Sequence, residues 1–167
     1  MEPTVLQPIA DVRRHADPLS AGALCTRILM IVRPETPLVD AALCMRREHV
    51  GCVVVVEKKG HGEVPLGILT DRDIVVSVVA VGIDPRVLTV ADAMTRDVTV
   101  VDEDDSLGAA LSTMRQHGVR RVPVVSKDGW LVGLLSVDDL VAALTLQTQA
   151  LTETLVAGRQ REGEMHP

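Results

Sequence analysis

Aromatic side chains are almost absent from this chain: Trp130 is the only one among 167 residues, with no Phe and no Tyr. A core must therefore be filled by Val, Leu, Ile and Ala, and hydrophobic residues at 47% of the sequence are enough to do it. The same shortage removes the stacking platform on which single-stranded nucleic acid is held. Positive charge is short as well. A formal net charge of −6 leaves no basic footprint to displace counterions from a duplex. No run approaches the roughly 20 apolar residues that a membrane span needs. The N-terminus, with Pro3, Pro8, Asp11, Arg13 and Arg14, has no apolar stretch of the signal-peptide type. Cysteines are few and odd in number. Cys25, Cys44 and Cys52 lie in apolar surroundings without a Cys-x-x-Cys spacing, which suits reduced thiols acting as small core hydrophobes. These absences point to a cytoplasmic protein that contacts neither nucleic acid nor membrane.

What is present is a repetition. GILTDRD at 67–73 and GLLSVDD at 133–139 share Gly, the hydroxyl and the final Asp in matching places. Upstream, LVDAALCMR at 38–46 lies over LGAALSTMR at 107–115, and Cys25-Thr26-Arg27 lies over Met94-Thr95-Arg96. One offset of 69 residues relates the copies until the first hairpin takes three extra residues at 58–63. The chain is a tandem duplication.

Each copy reads as strand, helix, strand, strand, helix, an α/β organisation of the α+β type. In the first, a strand at 29–32 leads to a helix opened by Thr36-Pro37, with Thr36 as its cap, that runs to about His49. Leu38, Ala41, Ala42 and Met45 share one of its faces. The apolar run 52–56 predicts a strand buried on both faces. A turn at 58–63, around Gly60-His61-Gly62, joins it to a strand at 65–69, and a helix follows from 71 to about 81, ended by Gly82 and Pro85. The linker 86–97 holds a short helix at 90–94. In the second copy a strand is expected at 98–101 and a helix at 106–117, capped by Asp104 or Asp105 and stopped by Gly118. Its hairpin runs 122–125, turns at 126–129 and returns at 130–135. The acidic run 102–105 suits a solvated helix N-terminus rather than a metal site. No catalytic triad, phosphate loop or metal cluster stands out.

The ends are less regular. Residues 1–21 form an arm in which Val5, Ile9 and Val12 suggest a short helix interrupted by Pro8 and Pro18, loosely ordered or docked on a neighbour. The first unit spans 22–85, the second 86–146, and 147–167 extend the last helix into a polar tail. Leu140, Leu144, Leu151 and Leu155 make a stripe along a helix that reaches ~30 Å, beyond one small unit. It should pack on a second chain or on the arm.

The duplicated Gly-apolar-apolar-Ser/Thr-x-x-Asp ending, with HGVRRVPVV before the second copy and the linker VGIDPRVLTVADAMT, resembles the cystathionine-β-synthase (CBS) domain. Two copies resemble a CBS pair, or Bateman module, and in particular the short bacterial proteins made of such a pair. The resemblance covers about 22–146. It implies two units packed about a pseudo-twofold axis, leaving two clefts, and a non-catalytic sensor that takes an adenosine-containing ligand: AMP, ADP, ATP, NAD or S-adenosylmethionine. No cofactor is required, and the adenine nucleotide is itself the regulatory ligand. The resemblance also implies a homodimer through the CBS helices and the last helix, and an unknown effector protein.

Carried onto this sequence, Asp139 with Ser136, and Asp73 with Thr70, match the ribose motif. Arg120, Arg121 and Arg72 match phosphate ligands. Thr95, Arg96, Asp97 and Val98, with Val122 and Pro123, match the adenine pocket. Gly51 and Cys52 stand in the first copy where Arg120 and Arg121 stand in the second, so the cleft of Asp139 is expected to bind nucleotide better. Other readings remain open. Asp73 and Asp139 serve equally as helix caps, Arg120 and Arg121 as solvated charges, and the whole chain as a partner-binding dimer with vestigial clefts. His49 and His117 read as cations at helix ends.

Overall fold

The computed structural model of the chain describes Thr4–Leu6 and residues 17–165. Apolar alternation builds two sheets. The first orders β1 (Thr4–Leu6), β2 (Leu29–Val32), β3 (Cys52–Lys59), β4 (Gly62–Thr70) and β5 (Thr95–Arg96) side by side. β2 and β3 run parallel, joined over α2 (Leu38–Glu48), and the other pairs are antiparallel. The second sheet repeats this in brief with β6 (Val101–Asp102), β7 (Arg121–Val125) and β8 (Leu131–Ser136), the parallel pair β6 and β7 being joined over α5 (Leu107–His117). α3 (Asp71–Ile74) follows β4, and the long α6 (Val137–Met165) follows β8.

The period-two alternation of side chains sorts the core. Met30, Val32, Val53 and Val55 face α2 and pack on Leu38, Ala41, Cys44 and Met45. Leu29, Ile31, Val54 and Val56 join a separate cluster with Leu131 of the second sheet, which ties the copies together. In the second copy Val122, Val124, Ala110, Met114, Leu135 and Leu140 form the matching core. Fully burying each Val or Leu contributes ~1.5–3 kcal/mol, so the missing aromatics are replaced by number.

The copies exchange segments. Two short helices, α1 (Ala21–Leu24) and α4 (Val90–Ala93), occupy equivalent places in the repeat, yet Ala21 and Cys25 pack in the second core while Val90 and Ala93 pack in the first. Backbone bonds fix the exchange. Val90 N–H donates to Thr36 O at 2.9 Å and Leu38 N–H to Leu88 O at 3.0 Å. In the other half Ala21 N–H donates to Asp105 O at 2.7 Å and Leu107 N–H to Leu19 O at 3.0 Å. Thr95 pairs with Ile68 of β4, and Thr26 bridges to Leu134 of β8. Each linker therefore closes the opposite copy.

Several local expectations change. Thr36 does not cap α2: its Oγ1 accepts from Arg33 N–H at 3.0 Å, and Pro37 holds the cap position. Ser106, not Asp104 or Asp105, caps α5, accepting from Ala109 N–H at 3.2 Å, while Asp105 accepts from Asp102 N–H. The strand expected at 98–101 shrinks to β6, because residues 98–99 turn to line a cleft. The first hairpin's extra residues lengthen its strands, and the chain reverses at Gly60 and His61, with Gly60 at φ 60°. The helix expected to about 81 is α-helical only to Ile74 and widens to a π-helix over Val75–Val79, where four β-branched residues crowd the turn. Thr4–Leu6 is a strand paired with β2, not part of a helix through Val5; Ile9 and Val12 lie outside the described residues. Gly118 ends α5 at φ 65°, as its place predicts. Met45 and Met114 are buried.

Candidate functional site

The repeated Asp closes the same hydrogen-bonded loop in both copies. Asp73 Oδ2 accepts from Thr70 N–H at 2.9 Å and from Thr70 Oγ1 at 2.7 Å, and Asp73 N–H donates back to Thr70 Oγ1 at 3.1 Å. Asp139 does likewise with Ser136, at 2.8, 2.6 and 3.2 Å. This reciprocal box satisfies the free amides at the start of α3 and α6. Both sets of bonds fall on Oδ2, which leaves Oδ1 as the carboxylate oxygen able to meet a ligand. The helix-capping and ligand-binding readings of these residues are thus compatible.

Each Asp stands on one wall of a cleft, and the other walls come from both copies. The cleft of Asp73 has a volume of about 510 Å³ and includes Ile68, Thr70, Arg72, the segment Thr95, Asp97, Val98 and Thr99, and then His117, Val119, Arg120 and Arg121. Asp97 turns there with φ 52°, a left-handed conformation that Asp tolerates better than most residues. The cleft of Asp139 is smaller, about 290 Å³, and includes Ser136, Leu134, Thr26, Ile28, Glu48, Val50, Cys52 and Arg121.

The two clefts are related by the repeat, and the substitutions between them change their chemistry. Thr26 takes the place of Thr95, Ile28 that of Asp97, Glu48 that of His117, and Cys52 that of Arg121. Three guanidinium groups therefore line the cleft of Asp73, together with the carboxylates of Asp71, Asp73 and Asp97, whereas the cleft of Asp139 has Arg121 alone with the carboxylates of Glu48 and Asp139. Burial pushes the Cys52 thiol up from its ordinary value, and Arg121 opposes that push. Guanidinium forks match phosphate oxygens in charge and geometry.

This corrects the pairing drawn from the sequence. Arg120 and the adenine-pocket residues Thr95, Asp97 and Val98 sit with Asp73, not with Asp139; Arg121 borders both clefts. Arg96 is turned away, its Nη2 donating to Ala91 O at 2.8 Å. Val122 is buried in the second core, Pro123 is buried in β7, and neither reaches a cleft lining. His117, Thr99, Val119, Thr26, Ile28, Glu48 and Cys52 line clefts without having been singled out for them. The repeat offset, which lays Thr26 over Thr95 and Glu48 over His117, was the signal that could have found the second set from the first.

No group of three or more His, Cys, Asp or Glu among the described residues is arranged to hold a metal. No described helix is long and apolar enough to cross a membrane.

Two hairpin-bearing repeats with exchanged linkers and a cleft at each Ser/Thr-x-x-Asp corner define a tandem-repeat α/β protein with two potential ligand sites. The CBS domain matches residues 21–80 and 90–146, and the chain belongs to that family. A protein of Methanopyrus kandleri with no described role is 33% identical over 74% of this chain, which spans 61% of that relative's length. The crystal structure of Hypoxic Response Protein I with two coordinated zinc ions is 31% identical with a TM-score of 0.64, covering 74% of this chain and 98% of that one. The crystal structure of CBSX2 in complex with AMP is 26% identical with a TM-score of 0.63, covering 77% of this chain and 98% of that one.

Proposed function

We propose that the chain is a non-catalytic regulatory module that binds an adenosine-containing ligand in the cleft of Asp73. The observation that carries this reading is the convergence of Arg72, Arg120 and Arg121 on that cleft. Asp73 Oδ1 accepts from the two adjacent ribose hydroxyls, the guanidinium groups take the phosphate, and the adenine ring lies against Ile68, Val98 and Val119. The AMP bound to CBSX2 supports the ligand class. Each charge-assisted bond to phosphate contributes on the order of 1.5–3 kcal/mol. The cleft of Asp139 lacks two such partners and presents Glu48 instead, so a phosphate-bearing ligand is disfavoured there.

Because the walls of the Asp73 cleft come from both copies, a ligand there links them and favours one relative arrangement over others. That shift is the signal passed to an effector protein in the cytoplasm. Identical scattering curves with and without saturating ligand would contradict this signalling step.

Calorimetric titration with AMP, ATP, NAD and S-adenosylmethionine tests the binding. The reading predicts micromolar binding of a phosphate-bearing compound, lost in Asp73→Ala and retained in Asp139→Ala. At a hundred times its Kd such a ligand also stabilises the fold by ~2.7 kcal/mol. Silence from all four on nucleotide-free protein favours the second reading, a partner-binding dimer with vestigial clefts, for which the exposed stripe of α6 is the specific observation.

A further inference from the structure

His117 lines the cleft of Asp73 beside the three guanidinium groups. It is the last residue of α5, where Gly118 turns the chain out of the helix and leads to Val119, Arg120 and Arg121 of the same cleft wall. The side chain is tied back to its own helix, with Nδ1 3.0 Å from Thr113 O. A carbonyl oxygen only accepts, so Nδ1 carries the proton of that bond. In the neutral imidazole the other ring nitrogen, Nε2, is then an acceptor. The fold, before any ligand arrives, sets which tautomer the cleft contains.

The repeat keeps this character in the other cleft. Glu48 stands 69 residues before His117 and lines the cleft of Asp139. An ionised carboxylate is an acceptor and never a donor. Charge therefore differs between the two positions while the accepting role does not. Other exchanges lose the character of the group: Ile28 replaces Asp97, and Cys52 replaces Arg121. Within the cleft of Asp73 the arginines can only donate, so none of them can receive an N–H from a ligand. Two carboxylates there already serve the start of α3: Asp73 Oδ2 accepts from Thr70, and Asp71 Oδ1 accepts from Arg72 N–H at 2.8 Å.

Adenine differs from the 6-oxopurines in the exocyclic group of its six-membered ring, an amine that donates where theirs is an oxygen that accepts. We propose that His117 reads this group, Nε2 accepting from the 6-amino N–H, so that the cleft of Asp73 selects adenine over hypoxanthine and guanine. The proposal rests on the reading that this cleft takes an adenosine-containing ligand, and it adds the residue that recognises the base. His117 stands two residues before Val119, against which the ring lies. A 6-oxo group would bring its lone pairs against that of Nε2 with no proton between them, which costs more than the simple loss of a hydrogen bond.

Calorimetric titration at pH 8 with AMP, IMP and purine riboside 5′-monophosphate tests it, because the three share ribose and phosphate and differ at the base. AMP should bind about tenfold more tightly than either of the others, equivalent to ~1.4 kcal/mol. His117→Ala should bring all three within about twofold of one another, the loss falling on AMP. His117→Glu, with the accepting group of the other copy, should bind all three more weakly yet keep AMP first. His117→Lys, which can only donate, should place IMP above AMP. His117 is exposed and lies outside the core clusters, so the unfolding midpoint followed at Trp130 should hold in each variant. A merely structural role would move that midpoint and leave the order of ligands unchanged. Equal affinity of the unmodified chain for AMP and IMP would overturn the proposal and leave the ligand reading standing. So would an AMP preference that survives in His117→Ala through another acceptor such as Asp97. Failure of all three compounds to bind the unmodified chain would overturn both.

Discussion

Thr26 and Leu134 exchange both of their backbone hydrogen bonds, each 2.9 Å long, although they belong to different copies of the repeat. Thr95 pairs with Ile68 in the equivalent place of the other half. This exchange explains the glycine of the repeated motif. A Cβ at Gly67 would stand 2.5 Å from Thr95 O, and one at Gly133 would stand 2.9 Å from Thr26 O while also striking Cys25 Sγ. The linker lies directly over the hairpin strand, and backbone cannot give way as a flexible side chain can. Gly67→Ala and Gly133→Ala should each cost about 1–3 kcal/mol, the usual range for overpacking. Gly108→Ala is the opposite case: it lies in α5 with its nearest neighbour at 3.9 Å. It should stabilise by up to ~1 kcal/mol through helix propensity. Urea unfolding followed by Trp130 fluorescence measures all three.

The two capping boxes should be equal in stability and unequal in binding. Asp73→Ala and Asp139→Ala each remove an acceptor from two donors of Thr70 or Ser136. Each should cost ~1 kcal/mol, typical of a lost helix cap. Denaturant midpoints should therefore shift together, whereas AMP titration should separate the variants.

Thiol chemistry gives a pH-dependent test. Burial is the largest influence on Cys25 and pushes its thiol from 9.0 up to about 11. Its thiolate is then about a thousandth of the population at pH 8, so native Cys25 should resist alkylation and label only on unfolding. The sign for stability follows from proton binding. Between pH 9 and 11 the unfolded chain loses this proton while the folded chain keeps it, so stability falls as pH rises through that window. Below pH 9 the group contributes no pH dependence. The full loss is at most ~2.7 kcal/mol for this group, and Cys25→Ala should flatten the alkaline side of the urea-midpoint profile.

Much of the architecture was legible because it is local or periodic. The stripe Leu38, Ala41 and Met45 marks α2, the β-branched runs mark β3 and β7, and Gly118 marks the end of α5. Helix caps are less legible, since Thr36 and Asp105 offer capping oxygens that the fold uses for other amides. The repeat itself carried the better signal: its offset lays Ser106 over Pro37, and both are N-caps.

The site was legible in its residues but not in its partners. GILTD and GLLSV reveal where Thr70, Asp73 and Ser136 lie. Nothing within a copy reveals that residues 88–96 cross to the first copy and residues 19–27 to the second. That exchange brings Arg120 to Asp73, and it depends on backbone pairing between segments distant in the chain. A motif that looks self-contained in sequence is completed by its sibling.

We assign phosphate binding to the cleft of Asp73. A crystal structure of the chain grown with AMP tests it most directly. Ligand density is expected beside Asp73, with the phosphate within reach of Arg120 and Arg121 and the ribose on Asp73 Oδ1. Density confined to the cleft of Asp139, beside Glu48 and Cys52, would contradict it.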